Sequence, residues 1–300
     1  MIESYTEVPI PGRAPKTILP KGIGLVLEGG GTRGFYSAGV FDAFIDAGIL
    51  FPYITAISAG AANALSYISG QFGRNRQIVE KYVGNPKYVS KRNLLRHRSL
   101  FGMEYVFHEV PKKHIFFDWD MFYKQDITFL TGAFDCNAGQ TVWFDKNDND
   151  TNLDILMASC SIPILAPIYK FRGFELLDGG IAAPIPIEKS VLDGNTFHVI
   201  VLTRNKGYRK PVLKHSQVLK LFYKKYPKLI EAISKRHTIY NSQITLCEQL
   251  EKEGKALIIR PLKPLSFDSS AYRNIKKLLE LYDEGFNEAK EKMSLILNCK

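Results

Sequence analysis

A short apolar run that breaks into four glycines constrains this chain more than any other stretch. Ile23-Gly-Leu-Val-Leu27 reads as a buried strand, and it ends at Glu28 before Gly29-Gly30-Gly31-Thr32-Arg33-Gly34. From Phe35 to Ala47, Val40, Phe41, Phe44 and Ile45 recur at helical spacing, and Gly48 offers a C-terminal stop. A second run, Tyr53-Ile-Thr-Ala-Ile57, breaks at Ser58-Ala59-Gly60 into a helix over Ala61–Ile68. Strand, glycine loop, helix, strand, sharp turn, helix is the alternation of a mostly parallel sheet with helices on its faces.

The rest of the chain extends that α/β pattern. Residues 71–125 are more polar, with a basic patch (Lys87, Lys91, Arg92, Arg96, Arg98) and aromatics. They read as helices and loops covering one edge of the sheet, where a lid or substrate-facing insertion would sit. Asp126–Phe134 and Gln140–Phe144 predict strands, Thr151–Cys160 a short helix, and Tyr169–Phe171 with Phe174–Leu177 a hairpin about Arg172-Gly173. Phe197–Leu202 and Ala256–Ile259 are further strands. Val212–Gly254 is helical with a break at Pro227, and Ser270–Leu297 is the last helix. With 300 residues, the chain suits one large domain, or a domain with a substantial appendage. The expected division is an irregular arm over 1–21, an α/β unit over 22–205, and a basic, mostly helical region over 206–300 packed on the same domain.

Composition removes several classes. Apolar residues make up 45% and charged residues 23%, which excludes disorder, collagen and coiled coil as the main architecture. No run approaches the roughly 18 to 20 apolar residues of a spanning helix. The start, MIESYTEVPIPGRAPK, lacks the apolar core of a secretory signal. Cys136, Cys160, Cys247 and Cys299 have no metal spacing and read as reduced thiols. The expected location is cytoplasmic, with the inner membrane surface as a place of peripheral association.

Charge is distributed unevenly. Residues 1–200 hold 19 Lys/Arg against 20 Asp/Glu, and residues 201–300 hold 21 against 10. From Arg204 to Arg236 there are 11 basic residues and one acid, Glu231. A basic block on a neutral body suits a phosphate-bearing surface such as lipid headgroups better than nucleic acid, and a solvated helix face is the alternative. Within Val212–His237, the apolar residues Val218, Leu219, Leu221, Phe222, Leu229, Ile230 and Ile233 read as a stripe packed on the sheet.

The glycine loop formally fits GxGxxG between a strand and a helix, the setting of a dinucleotide site. Such a site needs an acid at the end of the next strand to hold the ribose. The strand Tyr53–Ile57 has none, and Ser58 stands at its end. Glycines also let backbone N–H groups meet an oxyanion. Ala56-Ile57-Ser58-Ala59-Gly60 is a near match to GxSxG, with Ala56 in place of the first glycine. Small neighbours allow the cramped strand-to-helix turn that pushes a serine hydroxyl outward at a helix N-terminus. The plain alternative for Ser58 is an N-cap.

A serine nucleophile needs a base. His198, His215 and His237 are in an order that would allow a triad, and none lies in a compelling local frame. Asp178, in Leu176-Leu177-Asp178-Gly179-Gly180, ends an apolar strand in an open turn, and its plain alternative is an Asp-Gly turn.

Three pieces in this order, GGGTRG at 29–34, AISAG at 56–60 and Asp178-Gly179-Gly180, resemble the patatin-like phospholipase family. Met157-Ala-Ser-Cys-Ser-Ile-Pro163 is similar to the family's AS-x-x-x-P stretch, and Leu202–Arg209 looks like its bacterial branch with a C-terminal extension. The strong resemblance covers about residues 22–205. It implies a three-layer α/β/α sandwich with a mostly parallel central sheet. It also implies acyl-ester hydrolysis of lipids or lysophospholipids by a dyad of Ser58 and Asp178, without metal or cofactor. The loop Gly29–Gly34 would match the oxyanion hole through the N–H groups of Gly30, Gly31 and Thr32, with Arg33 holding the loop. Ala56, Ile57, Ala59 and Gly60 would frame the nucleophile, and Ala56 departs from the family's glycine. Burial is expected to raise the Asp178 pKa. The alternative function is a non-catalytic lipid- or phosphate-binding protein that retains the glycine loop.

Overall fold

The computed structural model describes residues 9–149, 152–213, 218–264 and 274–299, with Val218 described by its backbone alone. Its strands are β1 (Thr17–Ile18), β2 (Ile23–Leu27), β3 (Ile49–Leu50), β4 (Tyr53–Ile57), β5 (Thr128–Asp135) and β6 (Gln140–Phe144), followed by β7 (Tyr169–Phe171), β8 (Phe174–Asp178), β9 (Phe197–Val201) and β10 (Ala256–Ile259). Apart from the small β1–β3 pair, they form one sheet in the order β10-β9-β2-β4-β5-β8-β7, with β6 also on β5. From β10 to β5 every pairing is parallel, and β6, β7 and β8 join antiparallel. The mostly parallel α/β architecture expected from the sequence is the one observed.

Alternation along the central strands assigns the two faces. Leu25 and Leu27 of β2 and Val199 and Val201 of β9 point into one core, and Val26, Ile200 and Leu202 point into another. The first core is covered by α1 (Gly34–Ala47) and α2 (Ala59–Ile68). The second is covered by α9 (Pro227–Lys252) through Tyr240, Ile244 and Cys247. Pro227 opens α9, where its missing N–H costs nothing.

The last helix, α10 (Ile275–Leu297), returns to the first face and crosses α1. A Cβ at Gly39 would stand 1.9 Å from the Tyr282 carbonyl oxygen, and one at Gly285 would stand 2.1 Å from that of Tyr36. Only glycine allows so close a crossing. Two hydrogen bonds pin it, from the Tyr36 hydroxyl to Glu288 and from the Tyr282 hydroxyl to Asp42.

The topology sets up the site through β5. Residues Thr128–Gly132 pair with β4, Thr131–Asp135 with β6, and Ala133–Asp135 with β8. A strand has two edges, so β4 and β8 share the edge opposite β6. They run towards each other along it: Gly132 pairs with Ile57, and the next residue, Ala133, pairs with Asp178. Ser58, one step past β4, therefore meets the end of β8.

Two expectations change. Residues 71–125 include α3 (Arg74–Ile78), α4 (Lys91–His97) and α5 (Trp119–Lys124), joined by π-helical turns. The segment packs mainly on helices α1, α2 and α10 instead of on a strand edge, because Val79, Val83, Phe107 and Phe117 bury against the apolar surface of the helical layer. The apolar stripe of 212–237 also divides. Leu219, Leu229 and Ile233 are buried against Phe134, Leu177 and Ile181, whereas Leu221 and Phe222 are 82% and 62% exposed. They lie on α8 (Val218–Tyr223), whose inward face is taken by Leu219 and Tyr223, four residues apart.

Candidate active site

Ser58 occupies the junction of β4 and α2 with φ 53° and ψ −128°, a left-handed conformation rare for a residue with a side chain. Its neighbours permit it. Ala56 is fully buried in β4, and a Cβ at Gly60 would stand 2.7 Å from the Glu28 carbonyl oxygen, so α2 packs directly on the end of β2. The Ser58 hydroxyl caps no helix N–H. It donates instead to Asp178 Oδ2 at 2.7 Å, while Asp178 Oδ1 accepts the Gly180 N–H at 2.7 Å. The two plain alternatives thus divide: Ser58 is not a side-chain N-cap, and Asp178 is both a turn residue and the serine's partner. The pair is 5% and 7% exposed. Burial raises the Asp178 pKa, opposed by the Ser58 hydroxyl, the Arg236 charge and the Gly180 N–H.

A second serine, not singled out from sequence, holds the turn. Ser159, at the end of α6 (Asp154–Ser159), is wholly buried; its Oγ accepts the Ser58 N–H at 2.8 Å and donates to the Gly132 carbonyl at 2.7 Å. It ties the Ser58 turn to the strand that aligns it with Asp178. The only sequence signal was its place in the Met157–Pro163 stretch.

The glycine loop faces the same point. The Gly29 N–H is taken by the Pro184 carbonyl, the Arg33 N–H by Gly30 and the Gly34 N–H by the carbonyls of Gly31 and Thr32. Among the described residues the N–H groups of Gly30, Gly31 and Thr32 have no acceptor. Arg33 lies beneath, within electrostatic reach of the buried Glu28.

The histidines stand apart. His198 is the second residue of β9, at the end of the strand away from Ser58. Its Nδ1 meets the Ser190 hydroxyl at 3.0 Å, and burial pushes its pKa down to about 4. His237 lines the cleft, but its ring nitrogens engage Ser234 O and Thr238 Oγ1 on its own helix. His215 lies outside the described residues.

Two cavities meet at Ser58. A cleft of about 580 Å³ is bordered by Gly29–Arg33, Asp178 and the basic side chains of Arg33, Lys210, Arg236 and His237. On the other side, a pocket of about 100 Å³ is lined by Phe35, Val83, Tyr88, Phe101, Met103 and Phe107, among others, with no charged side chain among the described residues.

The patatin-like phospholipase family model matches residues 25–190, more than half of the chain and both members of the Ser58–Asp178 pair. The chain belongs to the patatin-like phospholipase family. A second match, to a domain of unknown function (DUF6363), spans residues 226–299, which include α9, α10 and Arg236. Among similar proteins are lysophospholipase NTE1 of Scheffersomyces stipitis, 25% identical over 92% of this chain, and YjjU of Escherichia coli, described as uncharacterized, 26% identical over 61%. The chain spans 18% of the length of the former and 52% of the latter. A crystal structure of VipD from Legionella pneumophila aligns with 98% of this chain and 72% of its own, at 10% identity and a TM-score of 0.38.

Proposed function

We propose that this chain is a serine acyl hydrolase acting on lipid esters, phospholipids or lysophospholipids, through Ser58 and Asp178. The observation that carries the reading is the 2.7 Å hydrogen bond from Ser58 Oγ to Asp178 Oδ2, made beside a glycine loop in which, among the described residues, the N–H groups of Gly30, Gly31 and Thr32 have no acceptor and Gly31 and Thr32 line the apolar pocket. Family membership and the lysophospholipase relatives support the same substrate class.

The chemistry follows from the contacts. Asp178 Oδ2 takes the Ser58 proton as Oγ attacks the ester carbonyl carbon. The carbonyl oxygen, now negative, accepts from the N–H groups of Gly30, Gly31 and Thr32, a contribution of roughly 3 to 4 kcal/mol for each donor in comparable sites. Collapse breaks the bond to the alcohol, and protonated Asp178 returns the proton to the leaving oxygen. Water, deprotonated by Asp178, then attacks the acyl-serine and releases the carboxylic acid and free Ser58. Burial of Asp178 makes it a stronger base than a solvated carboxylate.

The mouth of the cleft suits a membrane surface. Val212 and Leu213 line the cleft and are exposed, and the exposed Leu221 and Phe222 lie beside Lys220, Lys224 and Lys225. Among the described residues no helix is long and apolar enough to cross a membrane. Peripheral docking on an anionic bilayer fits this arrangement. Charge reversal at Lys220, Lys224 and Lys225 should abolish binding to phosphatidylglycerol vesicles, and retained binding would sink the docking assignment.

The catalytic reading is tested by hydrolysis of a p-nitrophenyl ester chain-length series. Wild type should be active, with Ser58→Ala and Asp178→Asn folded and inactive. Failure of Ser58 to label with a fluorophosphonate, together with no hydrolysis, would favour a lipid- or phosphate-binding protein. Activity surviving in Asp178→Asn would remove the aspartate from the base role.

A further inference from the structure

The acyl-transfer chemistry leaves most of the cationic side of the cleft unused: of its cations only Arg236 bears on Asp178, whose pKa its charge lowers. Among the described residues that border it, Asp178 is the one carboxylate, against Arg33, Lys210 and Arg236. Among the described residues none of these three makes a salt bridge. Arg33 Nε is buried without a hydrogen-bond partner, and Arg236 Nε donates to the Gly180 carbonyl at 2.5 Å. Glu28, within electrostatic reach of Arg33 and Lys210, is already committed to the Thr203 N–H at 2.5 Å. Burial, and then the charges of Arg236 and Arg204, push Lys210 down to about 8. Crowded, poorly solvated cations of this kind are stabilised by an anion.

The two cavities differ in chemistry on either side of Ser58. The uncharged pocket behind α2 suits an acyl chain, and the cationic cleft is left for the alcohol half of the ester. Resting on the reading of Ser58 as nucleophile, we propose that the cleft selects acyl esters whose alcohol carries a phosphate of net negative charge, held by Arg33, Lys210 and Arg236. A monoacyl glycerol phosphate has this chemistry, whereas a choline headgroup carries a cation that Lys210 and Arg236 repel. Two of the three cations lie outside the matched catalytic segment, and Arg236 belongs to the region of unknown function, which thereby gains a role in substrate choice.

The test uses the chain in a Ser58→Ala background, where binding is read without turnover. Lauroyl lysophosphatidate and lauroyl lysophosphatidylcholine, both below their micelle concentrations, are titrated by calorimetry. The lysophosphatidate should bind at least tenfold tighter. Lys210→Gln and Arg236→Gln should each shrink that ratio by about tenfold. Lys255→Gln, which removes an equal charge before β10 at the opposite end of the parallel strands, should keep it. Equal affinity for the two lipids, or a ratio unmoved by both cleft variants, would overturn the proposal. Inorganic phosphate binding as tightly as the lipid would assign the cations to a free anion and overturn it too. With Ser58 intact, loss of all ester hydrolysis would defeat the catalytic reading while the binding ratio still decided this one.

Discussion

Replacing Ser159 by alanine separates Ser58 from the group that holds its backbone. The Ser159 Oγ satisfies two buried partners at once, the Ser58 N–H at 2.8 Å and the Gly132 carbonyl at 2.7 Å. Alanine leaves both without a hydrogen bond, at about 1 to 3 kcal/mol for each buried group. Some of this is recovered as the strained Ser58 backbone at φ 53° relaxes, so a net loss of about 2 to 4 kcal/mol is expected. For a chain of this size that lowers Tm by roughly 4 to 8 °C. The relaxed backbone also swings Oγ away from Asp178, and a displacement near 1 Å costs up to about a hundredfold in rate. Thermal melts and kinetics on p-nitrophenyl butyrate should therefore show a lower Tm and a kcat down ten- to a hundredfold, with KM held. Ser161→Ala is the comparison: its hydroxyl donates to the Met157 carbonyl, so it should cost stability with little change in kcat. A Ser159→Ala enzyme within 2 °C and twofold of wild type would refute the bridging role.

Asp178→Asn should lose activity yet hold or raise Tm, because the amide keeps both hydrogen-bond positions without a buried charge. The sign follows from its raised pKa. Between the ordinary carboxylate value and the raised folded value the native state binds more protons than the unfolded one, so stability falls as pH rises through that window. Wild type should accordingly lose kcat/KM below an acidic limb that lies above the usual carboxylate range, and a limb at or below that range would contradict the burial argument. Arg236→Gln removes a charge that lowers the Asp178 pKa and should move the limb to higher pH; an unmoved limb would remove Arg236 from that role. Gly39→Ala places a methyl 1.9 Å from the Tyr282 carbonyl and should lower Tm by more than 5 °C or prevent folding, whereas a variant melting with wild type would show that α10 docks more loosely.

Much of this arrangement was legible because its signals are local. The strand Ile23–Leu27, the glycine loop and the hairpin around Arg172 sit where apolar periodicity and turn residues put them, and Gly48 caps α1 in the left-handed conformation. The edges moved slightly: β5 runs over Thr128–Asp135, not Asp126–Phe134. What the sequence could not reveal depends on long-range register. Nothing in residues 53–57 or 174–178 states that both strands take the same edge of β5. Ser159 looks like any small residue near a helix end until α6 is packed against β5. Arg236 is one of eleven basic residues between Arg204 and Arg236, and only the docking of α9 turns it towards Gly180. Leu221 and Phe222 matched the apolar content of their segment but not its inward face, since a six-residue helix buries one side only.

The end of the chain is the part whose sequence says least about chemistry, and its packing explains why it cannot be a detachable appendage. Its two long helices take opposite faces of one sheet: α9 seals the core holding Val26 and Ile200, and α10 locks onto α1 through paired glycines. The helix that α10 grips is the one launched by the glycine loop, and the helix that seals the other face carries Arg236 to the turn after Asp178. Loss of either contact would be felt at the Gly29–Gly34 loop or at Asp178 before it was felt in the sheet. On the proposed function, a region that both fixes the position of the Ser58 and Asp178 loops and supplies charge to the cleft is coupled to the ester bound there, so changes in α9 should alter substrate preference as well as stability.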